Sequence, residues 1–453
     1  MDNPEENMMS AQDTIEKPPR SLSVRLYNRV GGWLRTLGLP MGSLTESSLI
    51  ARARRRTGLV DFGDESFREP LGVLLRAYEQ ESELTPLGRL LVRASTVALL
   101  SNRLQVEAAS REHPEILQSP LQRPLFIAGL PRTGTTLLYN LLAQDPGSRP
   151  LMMWEAISPV PRHGEAGREP DPRIARTALI VKILNRLAPR LMAVHPVNPT
   201  GPEECSRLQL NTFVTAYAIM ENHVPSYREW FLAQPESRLM EAYRDYGRQL
   251  QVLQWQHPAP DHWVLKSPAH LFGLGPLMKV FPDARVLQIH RDPHKVIPSL
   301  CSLFAVYQGM ASDHVRPKLL GPEVVSLAVE GLRRSQAARE AAPEGRILDL
   351  QYKKLVTHPI DTLRRVYDHF GYPWSDAFER QARQWMDGNP KNKHGKHRYD
   401  LAQFGLTPGM INEAFGPYCR QYGIEPEERP AFVKSAEKKS ARAESGNMLV
   451  QGP

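Results

Sequence analysis

The chain has 453 residues, 41% hydrophobic and 23% charged, the composition of a soluble globular protein with room for two or three domains or one large α/β domain with additions. Its net charge of +8 suits an anionic ligand, solubility or weak nucleic-acid affinity alike. Neither zinc-finger spacing nor an aromatic-interleaved basic stripe occurs, so nucleic acid is set aside as a partner.

Residues 1–20 are polar and proline-marked and read as disordered. They open on an acidic Met1-Asp2-Asn3-Pro4-Glu5-Glu6 without the apolar stretch of a signal peptide. From Ser21 a helical stripe runs through Leu22, Leu26, Val30, Trp33, Leu34 and Leu37, with Arg25, Arg29 and Arg35 off that face. The basic run 51–56 follows. Such a helix either lies on an anionic membrane surface or packs on its own globule, so 21–56 is a candidate for peripheral membrane contact. The helical pattern continues from Phe67 to Leu117 with no dividing linker, and residues 21–120 read as a helical cap.

The α/β core is expected over 121–425. Its first strand, Leu125-Phe126-Ile127-Ala128, enters a loop bounded by Gly129 and Gly134 and then meets Thr135, Thr136 and a Leu-Leu-x-x-Leu-Leu pattern. Strand, glycine-bounded loop and helix form a phosphate cradle: backbone N–H groups and the helix N-terminus face the anion, and threonine hydroxyls donate to it. The spacing fits G-x-x-x-x-G-K-[ST] except that Thr135 replaces the lysine, and the loop's positive charge sits at Arg132. A helical insertion is predicted over about 171–256. In it Gly201-Pro202-Glu203-Glu204-Cys205 reads as a helix start, and the aromatics of 226–231 suit either an acceptor pocket or ordinary core. Further strands at 262–266 and 284–290, each followed by a helical pattern, give the βαβα rhythm of a parallel sheet flanked by helices, and another short strand at 346–350 precedes Gln351-Tyr352. Arg291-Asp292-Pro293 follows one of these strands, with Ser299 about two helical turns on, a pairing that can hold a second phosphate. Residues 434–453 read as a disordered tail. Cys205, Cys301 and Cys419 are scattered and odd in number, and no apolar run reaches membrane-spanning length; a reducing, cytoplasmic setting is expected.

Pro131-Arg132-Thr133-Gly134-Thr135-Thr136 together with Arg291 and Ser299 resembles the two donor-binding motifs of sulfotransferases that use 3′-phosphoadenosine 5′-phosphosulfate (PAPS). The resemblance is closest to the bacterial branch, more distant to protein-tyrosine sulfotransferases, and covers about 124–423. It implies a P-loop α/β fold, PAPS as donor, no catalytic metal, and a small organic acceptor with a hydroxyl or amine; the aromatics of the inserted helices point to an apolar one. It further implies that Arg132, Thr133, Gly134, Thr135 and Thr136 bind the 5′-phosphosulfate end, and Arg291 and Ser299 the 3′-phosphate. Tyr352 would help hold the nucleotide, Lys266 would reach the sulfuryl group, and Lys396 and Arg398 would belong to a late closing loop at 391–399. Where cytosolic relatives carry a histidine two residues after the lysine, this chain has Pro268. Glu155, matching a glutamate of the tyrosine-modifying branch, and His270 are therefore the candidate bases. A kinase built on the same loop and a non-catalytic nucleotide-binding or membrane-associated scaffold are the rival readings. Oligomeric state and the acceptor's identity stay open.

Overall fold

The computed structural model describes residues 20–38, 42–187, 197–389 and 400–427. The expected disordered tails, apart from Arg20, and the segment holding Lys396 and Arg398 lie outside the described residues.

Helices α1 (Leu22–Thr36), α2 (Glu46–Thr57), α3 (Arg68–Gln80) and α4 (Pro86–Glu112) precede the sheet. Strand β1 (Leu125–Ala128), helix α5 (Thr135–Leu142), strand β2 (Ser148–Pro150) and the short helix α6 (Met153–Ile157) follow. Before the next strand come α7 (Pro172–Leu187), α8 (Ser206–Leu210), α9 (Tyr217–Glu221), α10 (Pro225–Leu232) and α11 (Glu236–Gln256). Then come β3 (His262–Lys266), a 3₁₀ turn at Pro268–Phe272, α12 (Leu274–Val280), β4 (Arg285–His290), α13 (Pro293–Ala311) and α14 (Pro317–Glu340). The chain closes on β5 (Ile347–Gln351), α15 (Tyr352–Thr357), α16 (Pro359–Phe370), α17 (Asp376–Gly388) and α18 (Pro408–Gln421).

The strands form one sheet in the order β2-β3-β1-β4-β5, and every neighbouring pair is parallel. This is the α/β architecture expected of the βαβα rhythm, with one addition. Ser148–Pro150 pairs with β3 but is only three residues long and ends in proline, so no strand pattern announces it. Central β1 is apolar throughout because helices cover both sheet faces. Phe126 and Ala128 join the core shared with α3, α4 and α13; Leu125 and Ile127 join the one shared with α5, α16 and α17.

Parallel pairing decides where the chemistry sits. The carboxyl ends of β1, β3, β4 and β5 open on the same sheet edge, so the residues just beyond them are neighbours despite their separation in sequence. Register makes this concrete: Ile127 lies beside Lys266, Ala128 beside Gln288 and His290 beside Gln351.

Candidate active site

The loop after β1 turns on two glycines. Gly129 has φ +134°, and a Cβ there would stand 2.9 Å from the Ile289 carbonyl oxygen. Gly134 has φ +97°, and its Cβ would stand 2.7 Å from the Tyr352 ring. Between them Arg132 takes φ 72°, a left-handed backbone that costs a side-chain-bearing residue about 1–2 kcal/mol. Thr133 is buried and its hydroxyl donates to the Leu130 carbonyl at 2.7 Å, so that hydroxyl is used inside the loop. Gly134 caps α5, leaving the first N–H groups of the helix at the sheet edge. Thr135 is buried there, while Thr136 is exposed.

Strand β4 delivers Arg291, and Asp292 caps α13 by accepting the His294 N–H at 2.9 Å, with Pro293 at the first helical position as the sequence indicates. Ser299 then lies on the second turn, where its hydroxyl accepts from Arg132 Nε at 3.0 Å. Arg291 Nη1 donates to the Arg132 carbonyl at 2.9 Å, and its guanidinium lies 3.9 Å from the centre of the Tyr352 ring. Arg132, Arg291, Ser299 and Tyr352 thus form one cluster. A further partner is one the sequence did not signal. Glu427 accepts from Arg291 Nε at 2.7 Å and from Nη2 at 3.0 Å, while its own N–H donates to Asp292 at 2.8 Å.

Lys266 ends β3 buried. Its ammonium pairs with Glu204 and donates to the Thr136 hydroxyl at 3.4 Å. The reading of 201–205 as a helix start is corrected here. Pro202 bridges Met152 across an antiparallel pair, and helix α8 begins only at Ser206. The segment is held extended because Glu203 N–H donates to Leu151 at 2.8 Å and Cys205 N–H to the Lys266 carbonyl at 2.9 Å. Those two backbone bonds set Glu204 against Lys266. A Glu-Glu pair after proline carries no local sign of this, since both bonds reach residues distant in sequence.

The two carboxylate and imidazole candidates are placed elsewhere. Glu155 is buried and accepts from Arg149 Nη2 at 2.7 Å and from the Met152 N–H at 3.0 Å, capping α6. His270 is enclosed between the Tyr243 hydroxyl at 3.0 Å and Cys205 Sγ at 3.1 Å. Burial lowers its pKa to about 3 and raises the Cys205 thiol to about 12, so both stay neutral near pH 7.

Beside the Lys266–Glu204 pair opens a cavity of about 730 Å³, counting its mouth. Its walls come from α9, α13, α14 and the 3₁₀ turn, with Tyr217, Phe272, Leu303, Phe304, Tyr307 and Leu327 among them; Leu130, Pro131 and Glu204 also line it. Glu155 and His270 do not. The aromatics predicted at 226–231 lie outside this lining too. Tyr227 and Phe231 are buried in the core, the first donating its hydroxyl to the Phe213 carbonyl at 2.8 Å.

A glycine-bounded loop at a helix N-terminus, two arginines clustered with a serine, a lysine–glutamate pair and an apolar cavity are groups able to hold an anionic donor beside an apolar acceptor. Residues 124–376 match the profile of the sulfotransferase family. Among characterised proteins, the chain is similar to omega-hydroxy-beta-dihydromenaquinone-9 sulfotransferase Stf3 of Mycobacterium bovis, 26% identical over 305 residues that span 67% of this chain and 75% of that protein. Among solved structures it is similar to sulfotransferase STF1 of Mycobacterium tuberculosis (32% identity, TM-score 0.71, 82% of this chain and 98% of the other). Sulfotransferase STF9 of Mycobacterium avium is a further likeness (30% identity, TM-score 0.77, 85% and 99%).

Proposed function

The chain belongs to the sulfotransferase family, and from that premise we propose that it moves the sulfuryl group of PAPS to the hydroxyl of a small, apolar organic acceptor. The observation that carries this is the Lys266–Glu204 pair at the wall of the apolar cavity, one hydrogen bond from Thr136 at the start of α5. The hydroxyls of Thr135 and Thr136 and the N-terminal N–H groups of α5 bind the 5′-phosphate end. Arg291 and Ser299 bind the 3′-phosphate, a charge-assisted contact that ATP, lacking that group, cannot make.

PAPS supplies an activated sulfuryl group, whose S–O bond to phosphate breaks as the acceptor oxygen bonds to sulfur. Lys266 and Arg132 are placed to stabilise negative charge on the transferring and departing oxygens. Glu204, the carboxylate at the cavity wall, takes the acceptor's proton, the role that neither the buried Glu155 nor the enclosed His270 is placed to fill. The apolar lining favours an acceptor with little polarity beyond its reacting group. The mycobacterial relative, which by its name acts on an omega-hydroxylated menaquinone, supports an apolar alcohol in that place. The three cysteines are free, which suits the cytoplasmic setting.

Thermal unfolding with adenosine 3′,5′-bisphosphate, without magnesium, tests the donor half: the melting temperature rises if this reading holds, whereas a preference for Mg-ATP reverses it in favour of a kinase. A screen of apolar alcohols with sulfur-labelled PAPS tests transfer itself. Bisphosphate binding without label transfer to any acceptor would return the chain to the non-catalytic reading.

A further inference from the structure

Helix α1 has two unlike faces. Val24 and Gly31, two turns apart, are buried, and between them Asn28 accepts the Leu87 N–H at 3.0 Å; this is the side seated on α4. Leu22, Leu26, Val30, Trp33 and Leu37 recur at the helical period on the opposite side. They are 74, 60, 46, 61 and 56% exposed. Packing on the globule, one of the two fates the sequence allows this stripe, is therefore not its fate among the described residues. Four large apolar side chains on one short helix, with Leu37 at its C-cap, make a patch of the kind that marks an interaction surface.

Charge identifies the partner. Helix α1 carries Arg25, Arg29 and Arg35 and no acidic residue. At 100° per residue, Arg25 and Arg29 border the exposed stripe. In α2, Arg52, Arg55 and Arg56 are exposed as well. A two-fold pairing of this face with that of a second copy would bring arginine against arginine. An anionic bilayer complements it instead: the apolar chains enter the acyl boundary, the guanidinium groups stay among lipid phosphates, and Trp33 sits at the level between. With 15 residues, α1 is suited to lie in that plane; among the described residues no helix is long and apolar enough to cross a membrane.

The helix is also tied to the cavity wall. Arg20, two residues before it, donates to the Gly309 carbonyl at 3.3 Å and pairs with Asp313 at 2.7 Å. Gly309 lies in the last turn of α13 and Asp313 just past its C-cap; Leu303, Phe304 and Tyr307 of that helix line the cavity. We propose that α1 is a membrane-docking helix that seats the protein on anionic phospholipid. The proposal stands apart from the transfer reaction and survives or fails without it.

Co-sedimentation of the full chain with phosphatidylcholine vesicles, with and without phosphatidylserine, is the test. The protein should sediment with the anionic vesicles and much less with the neutral ones. Leu26→Glu and Trp33→Glu should abolish sedimentation, and Arg25→Gln or Arg29→Gln should weaken it roughly fivefold each. Every variant should keep the far-ultraviolet circular dichroism spectrum and the unliganded melting temperature of the parent chain, showing that the fold is intact. Absence of sedimentation by the full chain, equal binding to neutral vesicles, or undiminished binding by the glutamate variants would each overturn the proposal. So would a dimer, seen by sedimentation equilibrium in the absence of vesicle binding, that Leu26→Glu splits; the face would then belong to a contact between copies.

Discussion

Around the loop, side chains meet through directed polar contacts: Arg132 with Ser299, Arg291 with Glu427, Lys266 with Glu204. Around the cavity they meet through carbon, Leu303 and Phe304 of α13 facing Leu327 and Ala328 of α14. The first region is set by four strand ends on one sheet edge, and its contacts have direction and charge. The second is set by helices that only tertiary packing brings together, and it selects by shape and by exclusion of water. If the polar region holds the donor and the cavity the acceptor, as proposed, a chain built this way can alter what it accepts without altering how it holds its donor. On this reading, changes at one end should leave the other end's binding untouched.

The largest effects are expected where the two regions touch. Lys266→Ala should lower turnover about 10²–10³-fold by removing charge stabilisation. Glu204→Gln should lower it about 10²–10⁴-fold by removing the base, with bisphosphate binding retained. Single-turnover kinetics with labelled PAPS measures both, and an unimpaired Glu204→Gln removes that residue from the base role. Next comes Arg291→Ala. A hydrogen bond to a charged group contributes about 1.5–3 kcal/mol, so donor affinity should fall roughly 10–100-fold while the preference among acceptors stays as it was. Calorimetry with the bisphosphate reads the first, competing acceptors the second.

Ala328→Leu should act the other way round. It narrows the cavity, so the widest acceptor should lose about tenfold or more in kcat/KM while the bisphosphate shift is unchanged. A parallel loss of donor affinity would show that the regions are mechanically joined. The last effect is on stability rather than turnover and concerns His270. Burial holds its pKa at about 3 against an ordinary 6.5, so between those values the unfolded chain binds a proton that the folded chain does not. Stability is therefore lost as pH falls from 6.5 towards 3. His270→Gln should flatten that part of the melting-temperature profile, and a profile as steep as before would remove His270 as its cause.

The polar region is also the more legible one, for the same physical reason. A loop that must turn on Gly129 and Gly134, and a helix that must start at Asp292-Pro293, announce themselves in adjacent residues, because local backbone geometry dictates them. Lys266 is visible as the end of an apolar strand. Glu204 is not, since what fixes it is a pair of hydrogen bonds to Leu151 and Lys266. Glu155 misleads for the converse reason: a glutamate soon after the loop is easy to see, but Arg149, which takes up its carboxylate, gives no sign of doing so. His270 is hidden likewise by Tyr243 and Cys205. In the cavity, Leu303 and Phe304 have the spacing of any buried helix, and nothing in that spacing tells a wall from a core.

The hold of Glu427 on Arg291 gives the far end of the described chain a place in this scheme. If Arg291 binds the donor's 3′-phosphate as proposed, phosphate and the Glu427 carboxylate compete for the same guanidinium fork, and the Glu427 backbone is then tied through its N–H bond to Asp292 without the carboxylate's help. Occupancy and detachment are then reciprocally linked. A spin label attached close to residue 427 would tumble faster as donor is titrated in, giving a readout of nucleotide binding that needs no acceptor at all.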